Sequence, residues 1–563
     1  MTWPSREKLE SIATEEDLKS RKLLLTSIIN KDHETVDVNV DEALQGTHKQ
    51  DWMNAMKQEI DALKRNQTWV LVDREEAVQS GHKIIDGKWV LRIKKDNSGQ
   101  IVKFKARWVA RGFKQKWGID YTETFAPTVS LKTVRVLIAL ISAKRWKAQH
   151  FDVDNAYLQG QLEETVYMNE PKYFVTDESK VCKLQKALYG LKQAGRAWNL
   201  TLCNVLFSMG YRQSNVDPGL FMKNSNGNVN CVIVWVDDIV IVYNNVDVLK
   251  WFQGELKKHF PLKDLGPLNW FLGISLTYQD DGRIFLSQQQ YASEILNRFG
   301  FNCVRSSHIP MPVGVPVTDE GEGAESKQKI PNFGYQNVLG SLMYLAVATR
   351  PDLITAVGIA SRYSNAPRPK HFKALEVILR YLKGTCDDKL VMGSGGEDIN
   401  LHGFCDSDWG SDLDTRRSTT GYVFFLGNSP VSWSSQRQVT VALSATEAEY
   451  MSVSAASREA VWLRALLGDL NLECKSPTII RCDNRGAVSL TRNPVRHRLT
   501  KHIDIRYHYV RELVNRECVS ILWTQSDGMV ADILTKPLPR VKFKKWKSVL
   551  LGHGLDSLKS AAS

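Results

Sequence analysis

Two hydrophobic rhythms alternate along the chain. Apolar residues three and four apart mark amphipathic helices in "DWMNAMKQEIDALKRN", "LKTVRVLIALISAKR", "YQNVLGSLMYLAVATRPDL" and "HFKALEVILRYLKG". Alternating or β-branched runs mark strands. "GKWVLRIKK" and "IVKFKARWVARGF", joined by the turn "DNSG", read as a basic hairpin. "AQHFDVDNAYLQGQL" and "CVIVWVDDIVIVYNN" read as strands with carboxylates embedded in apolar sequence. Residues 1–46 are polar and weakly patterned, and are expected to form a mobile leader. The segment "HIPMPVGVPVTDEGEGAESKQKIPNFG", rich in Pro, Gly and charge, reads as a linker. A second mixed region starts near residue 400. It runs through "LHGFCDSDWGSD", "GYVFFLG", "PVSWSS", the helix "LSATEAEYMSVSAASREAVWLRALL", the strand "TIIRCDN" and "VSILWTQSDGMVADILTK". It is not a repeat of the first.

Composition narrows the class without choosing a function. At 563 residues the chain is too long for one core, and roughly three to five subdomains are expected. It is 43% hydrophobic and 24% charged, with no apolar run long enough for a membrane helix. The opening "MTWPSREKLESIATEEDLKS" lacks the apolar segment of a signal peptide. Nine cysteines without C-x-x-C spacing argue against zinc and suit a reduced, intracellular compartment. A formal charge of +12 and a pI near 9.1 favour a polyanionic partner.

The chemistry concentrates in carboxylates that the pattern would bury. Asp237 and Asp238 interrupt a run that reads as a strand buried on both faces. An ionised carboxylate there needs solvent at a tight turn, a basic partner or a divalent metal. Asp152 lies on another apolar strand, far enough away in sequence to become a sheet neighbour. Three converging carboxylates repel one another, and Mg²⁺, which prefers oxygen ligands, would relieve that repulsion. Asp154, two residues from Asp152, shares its strand face and is a candidate accessory ligand.

Several segments carry a resemblance in a fixed order. "KARWVARGFKQKWGIDYTETFAPTV", "FDVDNAYLQGQLEETVYMNEP", "LQKALYGLKQAGRAW", "WVDD" and "LKDLGPLNWFLGI" resemble the reverse transcriptase of copia-type LTR retrotransposons. Residues 400 to 540 resemble that family's RNase H, with carboxylates in the order strand Asp406, helix Glu449, strand Asp483, final-helix Asp532. The resemblance implies an α+β and α/β multidomain chain: a right-hand polymerase of fingers, palm and thumb, then a connection and an RNase H-like mixed-sheet domain. The expected divisions are the leader 1–46, the polymerase 47–310, a linker and connection helices 311–395, the RNase H-like domain 396–545 and a tail 546–563. The thumb is expected near residues 285 to 310 and a tether at about 335 to 395.

Carried over by motif, Asp152, Asp237 and Asp238 match the polymerase metal ligands, and Asp406, Glu449, Asp483 and Asp532 those of the RNase H. Tyr157 matches the aromatic beneath the incoming sugar. Lys105 and Arg107 would embrace the triphosphate, and Phe271 to Ile274 would grip the primer. The plainer readings are core packing for Tyr157 and a solvated basic face for Lys105 and Arg107. Glu447 and Glu449 lie about 200° apart on a helix, so one of them faces the site. Glu449, beside the inward stripe that begins at Tyr450, is preferred. Asp408, Asp412 and Asp414 are assigned to a solvated loop. Cys405 and Cys482 are read as inert strand residues. His502 and His508, with Lys501, Arg506 and Arg511, are read as a basic helix surface.

Three positions depart from the family pattern: Trp235 for Tyr, Gly195 for Pro, and Leu499 for Arg. Trp235 is expected to displace the primer end slightly. No protease triplet, integrase zinc module or zinc knuckle is found, so the chain reads as the C-terminal part of a polyprotein, processed or truncated. The implied activity is RNA-directed DNA synthesis with RNase H cleavage. The implied cofactor is Mg²⁺, with Mn²⁺ as a substitute. The implied partners are an RNA template, a DNA primer, RNA–DNA hybrid and deoxynucleoside triphosphates, with the element's capsid and integrase beside them and no membrane. The expected setting is a cytoplasmic particle and then the nucleus. The rival is a retroelement remnant that binds nucleic acid without turnover.

Overall fold

The computed structural model describes residues 37–95, 100–224, 227, 229–314, 317–318, 334–393, 399–492 and 504–553. Most of the leader, the "DNSG" turn, much of the proline-rich linker, Leu499, Lys501 and His502 lie outside them. The fold is mixed α/β, and its described strands form five sheets.

The basic hairpin forms as its alternation requires. Strand β1 (Gly87–Lys95) pairs antiparallel with β2 (Ile101–Ala110), setting Trp89 opposite Trp108. Its apolar face packs on the helix Lys49–Arg65, whose Trp52, Met56, Ile60 and Leu63 recur at helical spacing and are buried. Asp37 and Val38 add a short third strand, so the last part of the expected leader is structured.

The central sheet decides where the first carboxylates go. Helix α1 (Leu131–Lys144) is apolar nearly all round, is capped by Ser130, and lies buried against one face of that sheet. The strands are β3 (Lys147–Val153), β4 (Asn230–Trp235), β5 (Asp238–Tyr243) and β6 (Leu262–Pro267), in the order β6-β3-β5-β4, extended by Leu220–Met222 and Arg212–Gln213. The other face is closed by α2 (Ala194–Ser208) and the helix Val246–Lys257, through Trp198, Leu202, Leu206, Phe252 and Leu256. Because β4 and β5 are covered on both sides, their residues are apolar without alternation.

The expected tether is a packed layer. Strands Trp270–Phe271, β7 (Ile274–Tyr278) and β8 (Ile284–Ser287) form a sheet that is completed by β9 (Leu390–Met392), from the far end of that segment. Between them, α3 (Gln289–Phe299), α4 (Tyr335–Ala348), α5 (Ile354–Ser361) and α6 (Pro369–Lys383) pack together. Their apolar faces need cover, and one continuous core supplies it, from α1 through these helices into the C-terminal unit. The expected thumb region thus contains a strand tied to residue 391 and a helix packed on α4 and α6.

In the C-terminal unit β10 (Leu401–Ser407), β11 (Thr419–Leu426) and β12 (Ser429–Arg437) run antiparallel. Helix α7 (Ala445–Asp469) crosses them, and β13 (Thr478–Cys482) and β14 (Val519–Trp523) add parallel to β10, giving the order β12-β11-β10-β13-β14. Helix α8 (Arg540–Leu550) closes the unit. Its Trp546, Val549 and Leu550 are buried, as is Leu551 after it, so the expected tail begins inside the core.

This unit docks directly on the central sheet's helix. From α1, Arg135 donates to the carbonyls of Val431 (2.8 Å) and Val347 (2.8 Å) and lies 3.9 Å from the Trp433 ring centroid. Lys132 reaches Glu459 of α7 at 3.0 Å. At the other end of α7, Asp469 accepts from Ser214 Oγ (2.6 Å) and the Asn215 backbone (3.0 Å).

Candidate catalytic sites

The first site stands on the β4–β5 hairpin. Trp235 pairs with Asp238, leaving Val236 and Asp237 as a two-residue turn. Val236 has φ +56°, a left-handed conformation that strains a β-branched residue. The turn is held by Trp198 Nε1, which donates to the Val236 carbonyl at 2.6 Å, and by Val153 N, which donates to the Asp237 carbonyl at 3.2 Å. Asp152 on β3 is the direct cross-strand partner of Asp238. The hairpin therefore brings Asp152, Asp237 and Asp238 to one end of the sheet.

The electrostatics carry the signature of that convergence. Burial, then Asp238 and Asp152, push Asp237 up to about 6. Burial raises Asp152 as well, helped by Asp238 and Asp154 and opposed by Lys263. Asp154 sits in the turn just past β3, exposed, as a charge neighbour of Asp152.

Tyr157 lies on a short 3-10 turn (Ala156–Gln159) and is half-buried, edge-on to Tyr189 at 4.9 Å between ring centroids. The Arg107 guanidinium lies 4.5 Å from the Tyr189 centroid, so a line of side chains runs from the hairpin turn to β2. Lys105 and Arg107, on one face of β2, both lie near the half-buried Glu59. Burial raises Glu59 against their pull and against a bond from Trp108 N at 3.2 Å. Phe271 packs edge-on to His150 at 5.7 Å, in a tight turn completed by Leu272 and Gly273 at positive φ.

Two departures look different in three dimensions. Trp235 is 2% exposed and packs in the core, so its indole does not project from the hairpin toward a primer end. Gly195 is the second residue of α2, and a Cβ there would meet only Ala126 at 3.6 Å.

The second site forms where β10, α7 and β13 meet. The carboxylate oxygens of Asp406, Glu449 and Asp483 lie within 4.8 Å of one another, the one such group of three among the described residues. Ser407 N donates to Glu449 Oε1 (3.2 Å), which fixes that side chain toward β10. Glu447 faces away: its carboxylate accepts from Leu443 N (2.9 Å), and its backbone N–H is capped by Ser444 (3.1 Å). Asp483 accepts from Ser526 Oγ at 2.8 Å. Burial, only partly offset by Lys536, pushes Asp406 up to about 7. Glu449 is raised further by burial, Asp406 and Cys482. Cys405 and Cys482 are buried behind these carboxylates.

Asp532 departs from the expected set. It lies on a 3-10 segment (Val530–Leu534), not on the last helix, and is held by Lys536 (2.7 Å) and Lys542 (2.5 Å). The predicted solvated loop is also corrected: Asp408 and Asp412 are buried. Asp408 accepts from Thr419 N at 2.6 Å, and Asp412 pairs with Arg437 (2.8 Å) and Arg362 (3.4 Å), so local partners compensate both charges. Asp414 accepts from Tyr363 at 2.8 Å. On the helix Asp504–Asn515, Arg511 donates to the Leu490 carbonyl at 3.2 Å, and His508 is exposed.

Sequence reasoning missed His150, whose Nε2 lies 2.7 Å from Asp238 Oδ1. Its position two residues before Asp152, hence on the same strand face, was the available signal. It also missed Lys536, the last residue of the quoted segment "VSILWTQSDGMVADILTK". Both carboxylate groups are all-oxygen donor sets, which fits a hard divalent cation.

Residues 66–313 match the family described as reverse transcriptase (RNA-dependent DNA polymerase). Over 518 residues the chain is 37% identical to the retrovirus-related Pol polyprotein from transposon TNT 1-94 of Nicotiana tabacum, covering 91% of this chain and 38% of that protein. It is 37% identical over 516 residues to the Pol polyprotein from transposon RE1 of Arabidopsis thaliana, covering 90% and 34%. The putative transposon Ty5-1 protein of Saccharomyces cerevisiae is 31% identical over 306 residues, 54% of this chain and 98% of that protein. The chain spans less than two-fifths of the length of the two plant relatives.

Proposed function

The chain belongs to the reverse transcriptase family of copia-type retrotransposon Pol polyproteins, and from that membership we propose that it is an RNA-directed DNA polymerase whose second carboxylate site cleaves the RNA of a hybrid. One observation carries the polymerase reading: Asp152 stands directly across from Asp238, with Asp237 at the turn of the same hairpin, inside the matched segment. The cleavage reading is supported by Asp406, Glu449 and Asp483 on a mixed five-stranded sheet.

Asp152, Asp237 and Asp238 would hold Mg²⁺ or Mn²⁺ at the first site, and Asp406, Glu449 and Asp483 at the second. Such ions activate an attacking oxygen and stabilise a departing phosphate oxygen. The protein's own part is to fix position. The strained Val236 turn, held by Trp198, sets where Asp237 lies, and His150 orients Asp238. Tyr157, backed by Tyr189, would form the floor beneath the nucleotide sugar, and Lys105 and Arg107 would meet the triphosphate. Phe271 to Ile274 would contact the primer strand. The substrates are then a primed RNA template, deoxynucleoside triphosphates and RNA–DNA hybrid. On this reading the chain works beside the element's capsid and integrase in a cytoplasmic particle and then in the nucleus.

The test is primer extension on RNA by the purified chain with Mg²⁺ or Mn²⁺, compared with Asp152→Asn and Asp238→Asn. Extension by the native chain and none by the variants, with template binding kept, supports the polymerase. Tight binding without extension by the native chain would leave a nucleic-acid-binding protein only.

A further inference from the structure

We infer that the Lys536 ammonium is a built-in counter-ion of the second carboxylate site, standing between Asp406 and Asp532 and giving way when a divalent cation loads. The placement is specific. Lys536 Nζ lies 2.7 Å from Asp532 Oδ1 and 3.5 Å from Asp406 Oδ2, while those two side chains are only 3% and 2% exposed. Lys536 itself is 41% exposed, so its head sits at the mouth of the site and can leave for water without opening the core. The preceding residue is tied in, since Thr535 Oγ1 donates to Asp406 Oδ2 at 2.5 Å. The backbone is therefore fixed, and the long side chain is free to swing.

Charge makes the two occupants exclusive. A divalent ion held by Asp406, Glu449 and Asp483 would share Asp406 with a positive charge already bound to it, and like charges this close repel. The ammonium, paired with both Asp406 and Asp532, must therefore move aside when the ion loads. Asp532 has one oxygen on Lys536 and the other on Lys542, which accounts for its standing outside the three-carboxylate group. A competitor of this kind lowers the apparent affinity for the ion by the fraction of time it holds the ligand.

The inference rests on the reading of these carboxylates as ion ligands. Binding of Mn²⁺ alone to the full chain, followed by electron paramagnetic resonance of the free ion, separates the two. Asp406→Asn identifies the portion of binding that belongs to this site. If Asp406→Asn leaves Mn²⁺ binding unchanged, the ligand reading fails. If it removes that portion, Lys536→Met should bind the same portion about tenfold tighter than the native chain. Its metal-free melting temperature should fall and recover on adding Mn²⁺. Lys536→Arg, which keeps the charge and can grip a carboxylate with two donors, should bind Mn²⁺ no tighter than the native chain. Unchanged or weaker binding by Lys536→Met, or tighter binding by Lys536→Arg, overturns the counter-ion role while leaving the ligand reading intact. The arginine comparison decides the matter if Lys536→Met does not fold.

Discussion

Replacing Lys132 by methionine tests how the C-terminal unit is attached. Lys132 Nζ lies 3.0 Å from Glu459 Oε2, with the two side chains 14% and 1% exposed. Removing one partner of a buried pair typically costs about 3–5 kcal/mol, because the other charge is left behind. Here Glu459 keeps two hydroxyl donors, Ser432 at 2.6 Å and Tyr422 at 3.4 Å, so the loss should be about 2–3 kcal/mol. The reverse change, Glu459→Gln, should cost less, about 1 kcal/mol, since a glutamine carbonyl can still accept from Lys132, whose ammonium also lies 4.8 Å from the Trp462 ring centroid. The double variant should recover more than 1 kcal/mol relative to additivity, roughly the coupling expected of touching charges. The assay is urea unfolding followed by tryptophan fluorescence, read as midpoint shifts at constant slope. A Lys132→Met loss below about 0.5 kcal/mol, or strict additivity in the double variant, would refute the reasoning. It would mean that the contact is solvated and the two units are not held by it.

Four further outcomes are expected. Glu449→Gln should abolish cleavage of RNA in a hybrid while primer extension continues, and Glu447→Gln, whose side chain accepts from Leu443 N away from the carboxylate group, should cleave nearly normally; the reverse pattern in a hybrid-cleavage assay would reject the assignment. Tyr157→Ala should relax the preference for deoxyribonucleotides, measured as the ratio of the two incorporation rates; an unchanged ratio returns Tyr157 to simple packing. Trp235→Tyr should lower stability by about 1–2 kcal/mol and should not speed extension, because a buried indole is exchanged for a smaller ring whose hydroxyl needs a partner; faster extension would show that the indole reaches the primer after all. Asp237 and Asp406 are raised to about 6 and about 7, so the folded chain keeps protons that the unfolded chain has lost. Stability without metal should therefore fall as pH rises from the ordinary carboxylate range through those values, and the gain in melting temperature from Mg²⁺ should grow over the same interval; a gain that is flat with pH would contradict it.

The sequence by itself determined the local elements and the chemistry they carry. Periodicity marked the helix Lys49–Arg65, α1 and α6, and unbroken β-branched runs marked β4 and β5, because these signals come from neighbours three, four or two residues apart. Carboxylates in apolar sequence drew attention to Asp152, Asp237 and Asp238, and the motif order identified the family and, through that resemblance, Asp406, Glu449 and Asp483. Only the tertiary structure decided contacts between residues distant in sequence. Residues 390–392 return to complete a sheet begun at 270, so the segment taken for a tether is core. Lys132 and Glu459 are 327 residues apart, and no local pattern announces that they touch. Trp235 and Asp238 are cross-strand partners on one face of the hairpin, yet the indole is buried and Asp238 meets His150, a difference set by the elements packed around them and not by the strand pattern. Asp532 was found by motif, but its two lysine partners depend on how the chain turns after Val530–Leu534 and on where α8 begins. Periodicity reports which face of an element is apolar. It carries no information about which other element that face will meet, because the energy of burial is nearly indifferent to the identity of the apolar partner, whereas charge pairs and turn geometry are not.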